Sequence, residues 1–338
     1  MKLATTAASG YTSQVRNAGH IRNRGYEIQL GAVPIQTSKG FRWNLDLNYG
    51  ANSSKVVKLD DEGLITSYRL YSSGIQILAS VGEAYGTLFG TSYVRDANGN
   101  VVVDANGLPK ISTTNKTLGK FTPDWTGGIS NTFSYRSLSL SFLIDASVGG
   151  SIFSNTNKTG KYTGVLANTL SGRDAEHGGL WYYTAAMGNN VRLPESPSYS
   201  VSSDGLYYAQ VNGQSTRVYQ DGIMVEGVTE SGSKNEEVVS AEKYYHRIYS
   251  IAEANVYDAS YVKLREVALS YRLPRLWTQK LHLQEASVTL TGRNLWTIYK
   301  SVPNIDPESA LTTGNAQGVE AYSLPTTRSF GVNLSVKF

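Results

Sequence analysis

Apolar and polar residues alternate along seven stretches of the chain, the spacing that gives a β-strand two unlike faces. From Leu138 to Gly149, Leu138, Leu140, Phe142, Ile144, Ala146 and Val148 fall on one face; Ser139, Ser141, Asp145 and Ser147 fall on the other. Phe41 to Ala51 repeats the pattern, with Phe41, Trp43, Leu45, Leu47 and Tyr49 opposite Arg42, Asn44, Asp46 and Asn48. Before it, Tyr26, Ile28, Leu30 and Ala32 alternate with Glu27 and Gln29; after it, Trp125, Ile129, Phe133 and Tyr135 oppose Thr126, Ser130, Thr132 and Ser134. The remaining stretches are Tyr261 to Leu273, Ala286 to Tyr299 and Thr326 to Phe338. In the first of these the apolar phase slips from Val262 and Leu264 to Val267, Leu269 and Tyr271, which predicts a β-bulge around Arg265-Glu266.

The connections between these strands come in two kinds. Gln36 to Gly40, Arg136-Ser137 and Pro274 to Glu285 are short, whereas Val56 to Asp124, Asn155 to Ala259 and Ser301 to Leu324 far exceed the usual ~4–6 residues. Short and long alternate strictly, so in an up-and-down sheet every long connection leaves from the same end. That asymmetry is the one of outer-membrane β-barrels, with periplasmic turns and long outer loops. The expected fold is therefore all-β, an antiparallel transmembrane β-barrel segment, with 56–124, 155–259 and 301–324 as extracellular loops. Phe41 to Lys55 at ~3.3 Å per residue covers roughly 50 Å, enough to clear a ~25 Å apolar band when tilted. Arg42, Asn44, Asp46 and Asp145 must then face the lumen, because Arg or Lys facing lipid at the midplane costs about 2–4 kcal/mol. Trp43, Tyr49, Trp125, Tyr135, Tyr271 and Trp296 fit interface girdles.

An odd strand count cannot close by itself, since bacterial single-chain barrels are even-numbered and a free edge cannot sit in lipid. The chain therefore reads as the C-terminal part of a longer polypeptide, with 1–24 as loop remnant and the start of the first strand. Its first residues, Met1 to Gly10, contain no apolar stretch of signal-peptide length.

Composition narrows the function. Of 338 residues 40% are hydrophobic, 17% charged and 11% aromatic, with 23 Tyr, a profile too aromatic and too weakly charged for intrinsic disorder. A net charge of +4 over this length is too dilute for a nucleic-acid patch, so no nucleic-acid partner is expected. Cysteine is absent, which excludes disulfides and thiolate chemistry. His20, His177, His246 and His282 show no metal-ligand spacing and read as solvated loop residues. Neither a nucleophile elbow nor a phosphate-binding glycine loop occurs, so no catalytic residue, cofactor or metal is expected. Asp96 to Asn100 lacks the glutamate and spacing of a calcium loop; Asn98-Gly99 and Asn106-Gly107 read as hairpin turns. Asp306-Pro307-Glu308 reads as a rigid loop start, with cation binding as the lesser alternative.

Several motifs resemble the SusC/RagA family of TonB-dependent outer-membrane transporters. They are Asn17-Ala18-Gly19-His20-Ile21-Arg22-Asn23-Arg24-Gly25-Tyr26-Glu27, the Arg95 to Pro109 hairpin, Leu118-Gly119 with Pro123-Asp124-Trp125, Ala259 to Val267, Thr291-Gly292-Arg293-Asn294-Leu295, Asp306-Pro307-Glu308, and Pro325 to Phe338. The resemblance covers about Gly10 to Phe338 and implies about seven strands of a 22-stranded barrel, without signal peptide, TonB-contacting segment or plug. It further implies a multi-pass protein of the Gram-negative outer membrane that imports large nutrients, oligosaccharides foremost or peptides. A TonB–ExbB–ExbD complex would energise it, and a SusD-like surface lipoprotein would act as its lid. Phe330, Val332, Leu334, Val336 and Phe338, ending on an aromatic, resemble the signal read by the barrel assembly machinery.

Trp181, Tyr182, Tyr183, Tyr207, Tyr208, Tyr244 and Tyr245 occupy the longest connection, where rings can stack on a ligand, meet a lid protein or form the loop's own small core. Two other functions share the strand pattern. A secreted soluble glycan-binding adhesin would cover the apolar face with a second sheet, and a passive porin would need neither plug nor TonB segment.

Overall fold

The computed structural model describes residues 2–4, 6–15, 19–60, 63–314 and 317–338. Met1, and Asn17-Ala18 of the first motif, lie outside these. Seven long strands make one antiparallel sheet: β1 His20–Gln36, β2 Phe41–Lys58, β3 Trp125–Tyr135, β4 Leu138–Val148, β5 Tyr261–Arg272, β6 Glu285–Lys300 and β7 Ser329–Lys337. Each pairs with its neighbours in chain order, and the described sheet is open, with β1 and β7 at its edges. Pro34, which has no N–H to donate, lies at the register shift between Ala32 and Ile35 on edge strand β1, where its missing donor costs least. The bulge expected near Arg265 is present, since Leu143 pairs Glu266, Ile144 pairs Leu264, and Arg265 is left between them.

Register carries the two-faced pattern across the whole sheet. Directly opposed residues share a face. Ile35, Trp43, Phe133, Leu140, Leu269, Leu290 and Val332 form one continuous apolar row through all seven strands. The adjacent row, Gln36, Arg42, Ser134, Ser139, Ser270, Thr289 and Asn333, is polar throughout. Within it hydroxyls pair across strands, Ser134 with Ser139 at 3.2 Å and Ser270 with Thr289 at 2.6 Å. Asn131 breaks the apolar face, opposite Leu45 and Phe142, and its side-chain oxygen accepts from the Trp43 indole at 3.0 Å. A buried amide there would otherwise lack a partner.

The apolar face has no second layer among the described residues. Phe330, Val332, Leu334 and Leu290 are 81%, 73%, 65% and 51% exposed. The hydrophobic cores lie instead in the long connections, which all leave from the same end of the sheet. The three long connections form one body. Ile75, Ile77 and Leu88 of the first pack with Ala252 of the second, Val319 of the third and Phe153, which lies between β4 and the second connection. A three-stranded sheet joins the second and third, with Ser151–Ser154 between Val256–Asp258 and Val319–Glu320. The Arg95–Pro109 hairpin docks the first on the second through a parallel bridge between Val102 and Val228 and an Arg247–Asp104 ion pair at 3.0 Å. Its tips are turns, as the Asn-Gly pairs imply: Asp96 accepts from the backbone N–H groups of Asn98 and Asn100 at 2.9 and 2.8 Å.

The second connection also carries two helices, α1 Asn155–Tyr162 and α2 Ala241–Tyr249, and a third helix, α3 Arg275–Lys280, spans the turn between β5 and β6. Among the described residues no helix is long and apolar enough to cross a membrane, which says nothing of strands.

Candidate functional site

The polar face of the sheet and the excursions above it hold the polar chemistry of the molecule. Asp145 of β4 pairs across from Lys263 of β5, so both lie on the polar face. The bulge frees Arg265 to turn toward the same place, and its Nε donates to Asp145 at 2.6 Å. The third excursion folds onto these residues. Lys263 Nζ donates to Asp306 at 2.6 Å and to Glu308 at 2.5 Å, with side-chain exposures of 3% for Lys263 and 7% for Asp306. The Arg265 guanidinium also meets both Glu308 oxygens, and the Tyr261 hydroxyl donates to Glu308 at 2.9 Å. Asp306 receives the Glu308 N–H at 3.0 Å and both the N–H and the hydroxyl of Thr326, which leads into β7. Burial works to raise the Asp306 carboxyl, but hydrogen bonds from Lys263 and Thr326 more than reverse it and hold it at about 2. The cation at Asp306-Pro307-Glu308 is thus the protein's own ammonium and guanidinium. The motif is a clamp that fixes the third excursion across the polar face.

Of the other residues expected on that face, Arg42, Asn44 and Asp46 lie on β2 with the polar rows, and the Arg42 Nε donates to Asn44 at 2.8 Å. The aromatic residues of the second excursion separate. Trp181 and Tyr182 are buried: Trp181 packs with Ala209 and Val218 and is flanked by Tyr183, while Tyr182 stacks on Tyr219 at 5.2 Å and donates to Asp221 at 3.0 Å. Tyr207 is exposed, edge-on to Trp181, and Tyr208 is half-buried opposite Arg217. Tyr244 and Tyr245 sit on α2 beside Tyr93, and the Tyr245 hydroxyl donates to the Asn168 carbonyl at 2.9 Å. Phe330, Val332, Leu334, Val336 and Phe338 keep exposed apolar side chains at the β7 edge.

Two buried polar groups escaped sequence reasoning. Glu320 is fully buried at the N-terminus of α1, where it accepts from Ser154 Oγ at 2.7 Å, Thr156 Oγ1 at 2.6 Å and the Thr156 N–H at 3.3 Å. A carboxylate there meets the positive end of the helix dipole. Lys161, at the other end of α1, has no carboxylate partner among the described residues; it donates to the Ala254 carbonyl at 2.8 Å, and burial pushes it down to about 8. Nothing in the local sequence marks either, because their partners lie far along the chain. His246 was expected in solvent and instead stacks on Tyr162 at 4.1 Å; His177 pairs with Asp174 at 2.7 Å. Among the described residues no group of three or more His, Asp or Glu is placed to hold a metal ion.

No family model matches the chain. It is 26% identical over 359 residues to TonB-dependent receptor P3 of Formosa agariphila, an alignment covering 98% of this chain and 30% of that protein. The chain is homologous to part of a TonB-dependent receptor. TonB-dependent receptor P26 of the same organism gives 25% identity over 358 residues, again 98% of this chain and 30% of the relative. The chain thus spans about a third of the length of these receptors. Solved structures share the fold of this chain. The RagAB peptide transporter matches with a TM-score of 0.56 at 19% identity, over 99% of this chain and 31% of that one. The RagAB peptide importer in its closed-closed state gives 0.57 at 18%, over 100% and 32%. TonB-dependent receptors are outer-membrane transporters and not enzymes.

Proposed function

We propose that these seven strands are the C-terminal wall of a 22-stranded outer-membrane barrel that imports large nutrients, oligosaccharides or peptides, with TonB-linked energy. On this reading the connections 56–124, 155–259 and 301–324 are extracellular, and the β1 and β7 edges pair with further strands of the same barrel. A SusD-like lipoprotein covers the excursions as a lid. Similarity to TonB-dependent receptors over 98% of the chain supports this, as does the RagAB peptide transporter among its structural neighbours.

The single observation that carries the reading is the uncovered apolar row through all seven strands, backed by a polar row on the opposite face. Water is a poor solvent for such a face, and hydrocarbon is a good one. Phe41 to Tyr49, which separates two aromatic levels on β2, covers about 26 Å along the strand and about 20 Å after a ~40° tilt, near the ~25 Å apolar band. A glycan-binding adhesin would need a second sheet over this face. Fractionation tests the proposal: the protein should stay with the outer membrane through high salt and alkaline carbonate and come out only with detergent. Recovery in the aqueous fraction would overturn it.

A further inference from the structure

The end of the sheet away from the excursions is cationic. Its short connections and strand ends, residues 37–40, 136–137, 272–285 and 337–338, carry Lys39, Arg136, Arg272, Arg275, Lys280 and Lys337 against a single acidic residue, Glu285. The whole chain has a net charge of +4, so the remainder is close to neutral and the positive charge is gathered at this end. All six cationic side chains are exposed. Glu285 pairs with Arg272 at 2.8 Å, and among the described residues the other five have no ion-pair partner. Backbone hydrogen bonds join the connections into one rim. The Arg136 N–H donates to the Gly40 carbonyl at 3.4 Å, the Arg272 N–H to the Ser137 carbonyl at 2.8 Å and the Gln284 N–H to the Lys337 carbonyl at 2.8 Å. At ~4.8 Å between neighbouring strands, the seven strands spread this rim over about 29 Å.

The rim borders the uncovered apolar face. Phe41, Tyr135, Leu138, Tyr271, Val288 and Leu334 make an apolar row at this end of the sheet. Arg136 holds its guanidinium over the Tyr135 ring, 5.3 Å from the centroid, which brings one cation to the apolar side. The turn helix α3 adds Leu276 and Trp277, 74% and 57% exposed, while Thr278 turns inward. A leucine and a tryptophan held out beside Arg275 and Lys280 are poorly placed in water. They are well placed at a membrane interface, where an indole sits at headgroup level and long cationic side chains reach phosphates. We infer that this rim binds the anionic phospholipid headgroups of the leaflet at the short-turn end. Guanidinium and ammonium groups attract a lipid phosphate that carries net charge, whereas a zwitterionic headgroup brings a cation of its own to the same place. An acidic soluble protein would match the charge but not the adjoining apolar row. The inference rests on the membrane-wall reading and adds the class of lipid to it.

The test reconstitutes the full-length protein in phosphatidylcholine bilayers. Electron paramagnetic resonance then reads how much spin-labelled phosphatidylglycerol and spin-labelled phosphatidylcholine its surface immobilises. Phosphatidylglycerol should be favoured about threefold or more, and the preference should shrink toward unity in ~1 M salt, where the Debye length falls to about 3 Å. Combining Arg136→Gln, Arg275→Gln and Lys280→Gln should abolish the preference while phosphatidylcholine is immobilised as before, a readout that a misfolded protein would fail. Neutralising three exposed cations of the excursions, with Arg69→Gln, Lys116→Gln and Lys243→Gln, should leave the preference intact. A preference that survives the rim variant, or is lost equally in the excursion variant, would overturn the inference, as would capture of soluble polyglutamate in place of phosphatidylglycerol. Equal immobilisation of the two lipids would remove the rim and leave the membrane wall standing, whereas no immobilised lipid of either kind would remove both.

Discussion

At Asp306 a single carboxylate ties three parts of the chain together: Lys263 on β5, Glu308 in its own loop and Thr326 at the approach to β7. Because its pKa is held below the ordinary value of 3.8, its contribution is fully present above pH 3.8 and is lost as pH falls through about 2. Asp306→Asn leaves the Lys263 ammonium buried with Glu308 alone, so the loss should stay below the ~3–5 kcal/mol of a buried charge left with no partner. We expect the 301–328 segment of that variant to exchange amide hydrogens much faster while the strands keep their protection. Lys161 gives a dependence of the same sign at higher pH, through a cost that fades instead of a contribution that is lost. Its ammonium is lowered by burial from 10.5 to about 8, so the cost of burying its charge is complete below pH 8 and fades as pH rises toward 10.5. Thermal stability of the excursions should therefore climb between pH 8 and 10, and Lys161→Met should flatten that slope. An unchanged slope in the variant would place the titrating group elsewhere.

Strands were legible in the sequence wherever a strand has one apolar and one polar face, and illegible elsewhere. β3, β4 and β5 run from Trp125, Leu138 and Tyr261, where the alternation begins, because each has one apolar face and one polar face. β2 continues past Ala51 to Lys58 without alternation, since Asn52, Ser53, Ser54 and Lys55 pair with β1 beyond the apolar rows. The sheets inside the excursions left no periodic trace. Their strands are short, and pairings such as Phe153 with Val319 join residues far apart in the chain. The same distance hid the clamp: Asp306-Pro307-Glu308 was visible as a motif, but its cations lie on a strand whose charges sit at a register slip. Element-level reasoning also yields a paired test. Leu140 lies in the apolar row and Ser139 in the polar one, so Leu140→Arg should cost about 2–4 kcal/mol and deplete the protein from the outer membrane. Ser139→Arg should be tolerated, and equal depletion by both would contradict the assignment of faces.

For the whole molecule, the division of labour follows from where the apolar surface is buried. The excursions bury theirs among themselves in shared cores, and the sheet leaves its own uncovered. The clamp then joins the two parts, holding the third excursion over the polar face so that it forms part of the wall of any passage there. Single nitroxides placed along adjacent rows of the full-length protein in bilayers test this most directly. Labels at Leu140, Leu290 and Val332 should be relaxed strongly by lipid-dissolved oxygen and weakly by a water-soluble nickel chelate, and labels at Ser139, Thr289 and Asn333 should show the reverse. If the apolar row were shielded from oxygen, or both rows met water alike, the sheet would not be a membrane wall.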